Sequence, residues 1–194
     1  MATALFIIDV QVDFCEGGAL ACEGGARAAE KITEYLRDNP IRYDHVIASR
    51  DWHTPGSDNG GHFPPEGVAP DFVNHWPLHC IAGTEGANYH PNLDASLIDV
   101  HIKKGQGAHG YSIFEGTTEE GESIQSVLSR LEIDSVDVVG IATDYCVRAS
   151  SLDALSNGMQ VRVITSLTAG VSAASTETAI DEMVDAGAKV VATA

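Results

Sequence analysis

The chain has 194 residues, of which 44% are apolar, and its 28 acidic and 11 basic side chains give a formal net charge of −17. This length supports one well-packed domain, which we expect to span residues 1–194, and the acidity argues against nucleic acid and anionic membranes as partners because both bind basic surfaces. Four cysteines without a C-x-x-C pair, no membrane-length apolar run and no leader-like N-terminus predict a cytoplasmic protein.

Apolar runs and amphipathic stretches alternate along the chain. Runs rich in β-branched residues predict buried strands at 4–10, 45–48, 97–104, 135–139, 161–164 and 189–192. Apolar positions at helical spacing predict helices at 26–38, 120–131, 146–157 and 175–186. The alternation predicts an α/β fold with a doubly wound parallel sheet, helices on both faces, and a functional site at the carboxyl ends of the strands.

Polar residues stand at the ends of three predicted strands. Lys104 ends the row that includes Ile102, whereas Lys103 lies on the more polar face, because residues alternate along a strand. A lysine that reaches into solvent from a strand end is a common alternative. Since Asp9 and Cys146 also lie near strand ends, we favour a shared site. In it the acid would be the proton acceptor, the amine the charge stabiliser and the thiol the nucleophile.

Cys146 lies where the strand predicted at 135–139 gives way to the helix predicted at 146–157. Backbone N–H groups in a first helical turn are unpaired and favour negative charge. We therefore expect the thiol to be biased toward the thiolate, which is its nucleophilic form. The alternative is a small buried hydrophobe, the usual environment of a free cysteine.

The segment at about 51–92 is too long for a passive connection. It contains six of the seven prolines and five of the eight histidines. Asp51 and His53 lie two residues apart, so both side chains can point the same way from an extended strand end. With His62 and His79 they form a set suited to one divalent ion, Zn²⁺, Fe²⁺ or Mn²⁺, with positions left for water or substrate. Solvated loop histidines are the alternative, and for any single histidine it is the better one.

Six motifs together resemble the nicotinamidase/pyrazinamidase branch of the isochorismatase-like cysteine hydrolases, and the match runs along nearly the whole chain. The motifs are Ile8-Asp-Val-Gln-Val-Asp-Phe14, Asp51-Trp-His53, Gly61-His62-Phe63, Trp76-Pro-Leu-His79-Cys80, Lys104-Gly105 and Gly140-Ile-Ala-Thr-Asp-Tyr-Cys146-Val. The resemblance implies a six-stranded parallel sheet in the order 3-2-1-4-5-6. It also implies hydrolysis of nicotinamide to nicotinate and ammonia, with pyrazinamide as a further substrate, through a cysteine thioester.

The resemblance also implies roles for individual residues. The catalytic triad would be Asp9, Lys104 and Cys146, with backbone N–H groups of Ala142 and Cys146 as the oxyanion hole and a cis peptide bond before Ala142. The metal ligands would be Asp51, His53, His62 and His79. The substrate would be bound by Phe14, Trp76, Tyr111, Ala142 and Tyr145, and Tyr145 departs from the histidine that often stands there in pyrazinamidases.

Several alternatives stay open at this stage. The native metal, its role as substrate anchor or water activator, and a monomeric or homo-oligomeric state do not follow from these residues. A related amidase acting on a carbamoyl or ureido substrate is one rival, although such relatives generally lack the metal set. A non-catalytic metal- or ligand-binding module is a second rival, and the intact triad disfavours it.

Overall fold

The computed structural model describes residues 2–193. Its strands are β1 (Ala2–Ile8), β2 (His45–Asp51), β3 (Val100–Lys104), β4 (Ile133–Ile141), β5 (Gln160–Ala169) and β6 (Lys189–Val191). Its α-helices are α1 (Gly25–Asp38), α2 (Ile124–Arg130), α3 (Arg148–Ser156) and α4 (Ala173–Asp185). The strands form one all-parallel sheet in the order β3-β2-β1-β4-β5-β6. The predicted fold class and strand order are confirmed.

Different helices cover the two faces of the sheet. Side chains of β1 alternate between these faces, so the strand contributes to a separate apolar core on each. Leu5 and Ile7 belong to a core cluster that includes Ile32 of α1. Phe6 points to the opposite face, whose cluster includes Ile124 of α2 and residues of α3 and α4. Each of these side chains is fully buried, and such burial stabilises the fold by about 1.5–3 kcal/mol per side chain. The two cores hold the strand ends in place.

Capping residues move two element boundaries away from the predicted ones, and one strand is longer than predicted. β3 begins later than predicted because Asp94 accepts a hydrogen bond from the Ser96 N–H and caps a short 3₁₀ turn before it. α2 also begins later, at the point where Ser123 caps the helix by accepting from the Ser126 N–H. β5 extends to Ala169, well beyond the predicted strand. Side-chain caps of this kind compete locally with strand and helix continuation.

The carboxyl ends of the strands bring the predicted catalytic residues to one rim. Asp9 follows β1 with a positive φ of 48°, and Lys104 is the last residue of β3. After β4 the chain forms a π-helical turn, Thr143–Val147, before α3 begins at Arg148. Cys146 therefore lies within this turn and not in the first turn of the predicted α-helix.

Among the described residues, no helix combines the length and apolarity that crossing a bilayer requires.

Candidate active site

Lys104 is the centre of a buried polar cluster. Its Nζ lies 2.7 Å from Asp9 Oδ2, 2.5 Å from Asp51 Oδ1 and 3.7 Å from Cys146 Sγ. The same amine donates a hydrogen bond to the carbonyl of Gly110. Both Lys104 and Asp9 have no exposed surface. The structure therefore brings the predicted acid, amine and thiol together, and it joins the amine to one of the predicted metal ligands as well.

The charges in this cluster depend on one another. Burial lowers the pKa of the Lys104 amine, but Asp51 and Asp9 outweigh burial and raise it well above its ordinary value. Burial raises the pKa of Asp9 to about 6 against the opposing effect of Lys104, and Ser49 donates a hydrogen bond of 2.7 Å to Asp9 Oδ1. Asp51 shifts in the opposite direction: burial raises its pKa, but Lys104 and His53 outweigh burial and lower the pKa below its ordinary value. Asp51 is therefore the permanent anion, and Asp9 can exchange a proton near neutral pH.

The expected thiolate bias of Cys146 is wrong for the resting site. Burial raises the pKa of the thiol well above its ordinary value, and the attraction of Lys104 opposes this rise without reversing it. Asp9 and Asp51, which lie with the sulfur in one cluster of atoms within 4.8 Å, add to the rise because two carboxylates disfavour a third negative charge. The sulfur is therefore a thiol at rest, and it needs a base to become a nucleophile.

Three histidines form a second buried cluster beside the first. One ring nitrogen from each of His53, His62 and His79 lies within 4.8 Å of the others. The His62 and His79 Nε2 atoms are 3.4 Å apart, and Asp51 Oδ2 lies 3.6 Å from His53 Nε2 and 3.9 Å from His79 Nε2. The structure therefore collects all four predicted metal ligands.

The donor atoms of this cluster fit a metal ion. The Nδ1 atoms of His53 and His79 lie 2.9 Å and 2.7 Å from the carbonyl oxygens of Gly105 and Pro77. Nδ1–H donation to these carbonyls leaves each Nε2 as an acceptor, the usual arrangement of metal-binding histidines. The buried His53 Nε2 has no hydrogen-bond partner among the described residues. Burial and the neighbouring imidazoles also lower the pKa of His62 to about 3, so its ring is neutral, as ligation requires.

The two clusters open into one pocket walled by aromatic side chains. Predicted substrate residues line it together with residues of both clusters: Phe14, Trp76, Tyr111, Ala142, Tyr145, Cys146, Asp51, His62 and His79. The Trp76 Nε1–H donates a 2.9 Å hydrogen bond to the Tyr111 hydroxyl, and the Trp76 ring packs edge-on against Tyr145 with centroids 5.2 Å apart. Such contacts fix the orientation of rigid rings, so the pocket offers flat apolar walls beside a thiol.

Sequence reasoning missed three further residues of this pocket wall, Leu20, Cys22 and Val171. Leu20 and Cys22 lie in the loop after β1, and Val171 lies just after β5. Val171 is placed by Asp144, whose carboxylate accepts hydrogen bonds from the Val171 N–H and the Ser175 hydroxyl. These residues show no pattern in the sequence, because loop side chains follow no periodicity.

Two predictions about the site's backbone and lysines can be compared with the structure. The peptide bond between Ile141 and Ala142 is cis, as the resemblance implies. Lys103 points away from the site, with its Nζ 2.5 Å from Glu119 and 4.6 Å from the centre of the Trp52 ring. Strand parity therefore separates the two lysines as the sequence indicated.

Comparisons with known proteins identify a family and several similar proteins. The family model described as the isochorismatase domain matches residues 3–194. The nicotinamidase/pyrazinamidase of Mycobacterium tuberculosis is 47% identical over 188 residues, which are 97% of either chain. The L. infantum PnC1 structure in complex with nicotinate has a TM-score of 0.81 at 31% identity and covers 98% of this chain and 92% of its own. The Pyrococcus horikoshii pyrazinamidase in complex with zinc has a TM-score of 0.79 at 31% identity, with 98% and 99% covered.

Proposed function

The chain belongs to the isochorismatase-domain family, and from this we propose that it is a nicotinamidase, a metal-dependent amidohydrolase that converts nicotinamide to nicotinate and ammonia. Pyrazinamide is proposed as a second substrate, in keeping with the relative that is named for both activities. The observation that carries the proposal is the opening of the buried Asp9–Lys104–Cys146 cluster and the three-histidine cluster into the same aromatic pocket.

In the first step Asp9 takes the proton of Cys146 as substrate binds. The raised pKa of Asp9, about 6, matches a base that works near neutral pH. The cation of Lys104, 3.7 Å from the sulfur, stabilises the thiolate that forms. The thiolate then adds to the carboxamide carbon, so a C–S bond forms and the carbonyl oxygen becomes an oxyanion.

Backbone N–H groups of Ala142 and Cys146 are proposed to hold this oxyanion. One donor of this kind typically contributes about 3–4 kcal/mol to transition-state stability. Protonated Asp9 gives its proton to the nitrogen as the C–N bond breaks, and ammonia leaves behind a thioester on Cys146. A water molecule then adds to the thioester and gives a proton to Asp9. The C–S bond breaks, nicotinate leaves, and the proton on Asp9 returns to the sulfur.

One divalent ion, Zn²⁺, Fe²⁺ or Mn²⁺, is proposed to be held by Asp51, His53, His62 and His79. Such an ion supplies a Lewis-acid site for the pyridine nitrogen or for water. A zinc complex is known for the similar Pyrococcus horikoshii protein. Phe14, Trp76, Tyr111 and Tyr145 are proposed to hold the faces and edges of the pyridine ring, and Ala142 its carboxamide end. These rings exclude water and orient the amide toward the sulfur.

Incubation of the purified protein with nicotinamide tests the proposal directly. We expect ammonia and nicotinate in equal amounts, and ammonia from pyrazinamide in a parallel reaction. Ammonia from a ureido compound but not from nicotinamide would favour a related amidase instead. If no amide releases ammonia, a non-catalytic metal- or ligand-binding module is favoured.

We further propose a cytoplasmic role in the salvage of pyridine nucleotides, where nicotinate re-enters NAD synthesis.

A further inference from the structure

Gln11 has a fully buried side chain whose amide makes three hydrogen bonds. Its Oε1 accepts from the Asp51 N–H at 2.8 Å, and its Nε2 donates to the carbonyls of Asp51 at 2.9 Å and Ala87 at 3.0 Å. The partners are 40 and 76 residues away in the chain. None of the proposed catalytic steps uses this amide, so catalysis does not account for its burial and its three hydrogen bonds.

The amide of Gln11 takes the place of a neighbouring strand. The pairing between β1 and β2 ends at Ile7 and Ala48, three residues before Asp51. In a parallel strand the N–H and C=O of one residue point to the same side, and for Asp51 this is the side that β1 has already left. Trp52, whose groups point the other way, donates its N–H to the Lys104 carbonyl of β3. Gln11 therefore completes the sheet around the Asp51 peptide with its side chain.

We propose that Gln11 is a positioning residue for the metal centre, because it holds the backbone of the one ligand shared with Lys104. This inference rests on the proposed metal-dependent function. Asp51 directs Oδ1 to Lys104 and Oδ2 to His53 and His79. Both contacts require a fixed peptide plane at the end of β2. In the third hydrogen bond, Gln11 Nε2 donates to the carbonyl of Ala87, so the same amide also contacts the loop that follows His79.

The test is zinc affinity, measured by competition with a chelator on purified protein. The isosteric variant Gln11→Glu replaces the NH₂ donor by an oxygen that faces two carbonyl oxygens, and Gln11→Met removes all three contacts. We expect either variant to bind zinc about 10- to 100-fold more weakly, the usual effect of losing a group that orients a ligand. Circular dichroism of the metal-free variants checks that they fold, and Gln11→Glu carries the test if Gln11→Met does not.

Two controls separate positioning from a general loss of stability. Gln125→Glu makes the same charge change on an exposed residue of α2 and should leave zinc affinity unchanged. Met183→Ala opens a cavity in the apolar core cluster that also contains Phe6 and Ile124, and should lower the melting temperature without weakening zinc binding. If the Gln11 variants bind zinc as tightly as Met183→Ala, the positioning role is wrong. If wild-type protein binds no zinc, the proposed metal-dependent function fails together with it.

Discussion

Asp51 and Lys104 are register partners on adjacent strands, and Asp51 Oδ1 lies 2.5 Å from Lys104 Nζ. The other oxygen of the same carboxylate lies 3.6 Å from His53 Nε2. One buried carboxylate thus connects the amine beside the thiol with the histidine cluster. Substitution of Asp51 therefore affects two sites at once, and the other residues are better tests of each site taken separately.

Substitution of Cys146 tests the nucleophile. Cys146→Ala should lower kcat by at least about 10³-fold, because the remaining groups can bind substrate but cannot form the thioester. The protein should still fold, since only one sulfur is removed from a pocket wall. Cys15→Ala is the matched control, a fully buried cysteine that does not line the pocket. Turnover retained in Cys146→Ala would rule out the covalent mechanism.

Metal removal tests the histidine cluster. Treatment with a strong chelator should abolish most activity, and His53→Ala or His79→Ala should lower the bound metal measured by elemental analysis. His90→Ala is the control, because His90 lies in the same loop region but outside the cluster. Fully active protein that contains no metal would show that the cluster is structural.

The two adjacent lysines should differ sharply. Lys104→Ala leaves Asp9 and Asp51 as neighbouring buried anions without a compensating cation, so kcat should fall by about 100-fold or more. Lys103→Ala removes a contact with Glu119, which is 75% exposed in its side chain, and should change kcat little. Steady-state kinetics and metal content of both variants decide the matter. The opposite result would require a different assignment of the triad.

The pH profile should report on Asp9. As the base it must be deprotonated, so kcat/KM should fall by about tenfold per unit as pH drops below about 6, the raised pKa of this carboxyl. Ser49→Ala removes a hydrogen bond to the charged form of Asp9, which raises its pKa further and moves the acid limb to higher pH. Ser129→Ala, an exposed serine of α2, is the control. An acid limb at the same pH in wild type and Ser49→Ala would contradict this role.

The sequence by itself determined where the strands lie and on which face of its strand each terminal polar residue stands. Apolar runs gave the positions of the strands, and strand parity separated Lys104 from Lys103. Element boundaries were less accurate where Asp94 and Ser123 cap the chain, because one side-chain hydrogen bond decides where a helix or turn begins. The recognised motifs supplied the strand order and the site residues.

Only the tertiary structure decided the charges and the supporting contacts. The thiol state of Cys146 follows from burial beside Asp9 and Asp51, which no local pattern reveals. Gln11 reaches Asp51 across 40 residues, and Val171 enters the pocket wall from beyond β5. Long-range hydrogen bonds and desolvation depend on distances in the folded chain, so they appear only when the strand ends are brought together.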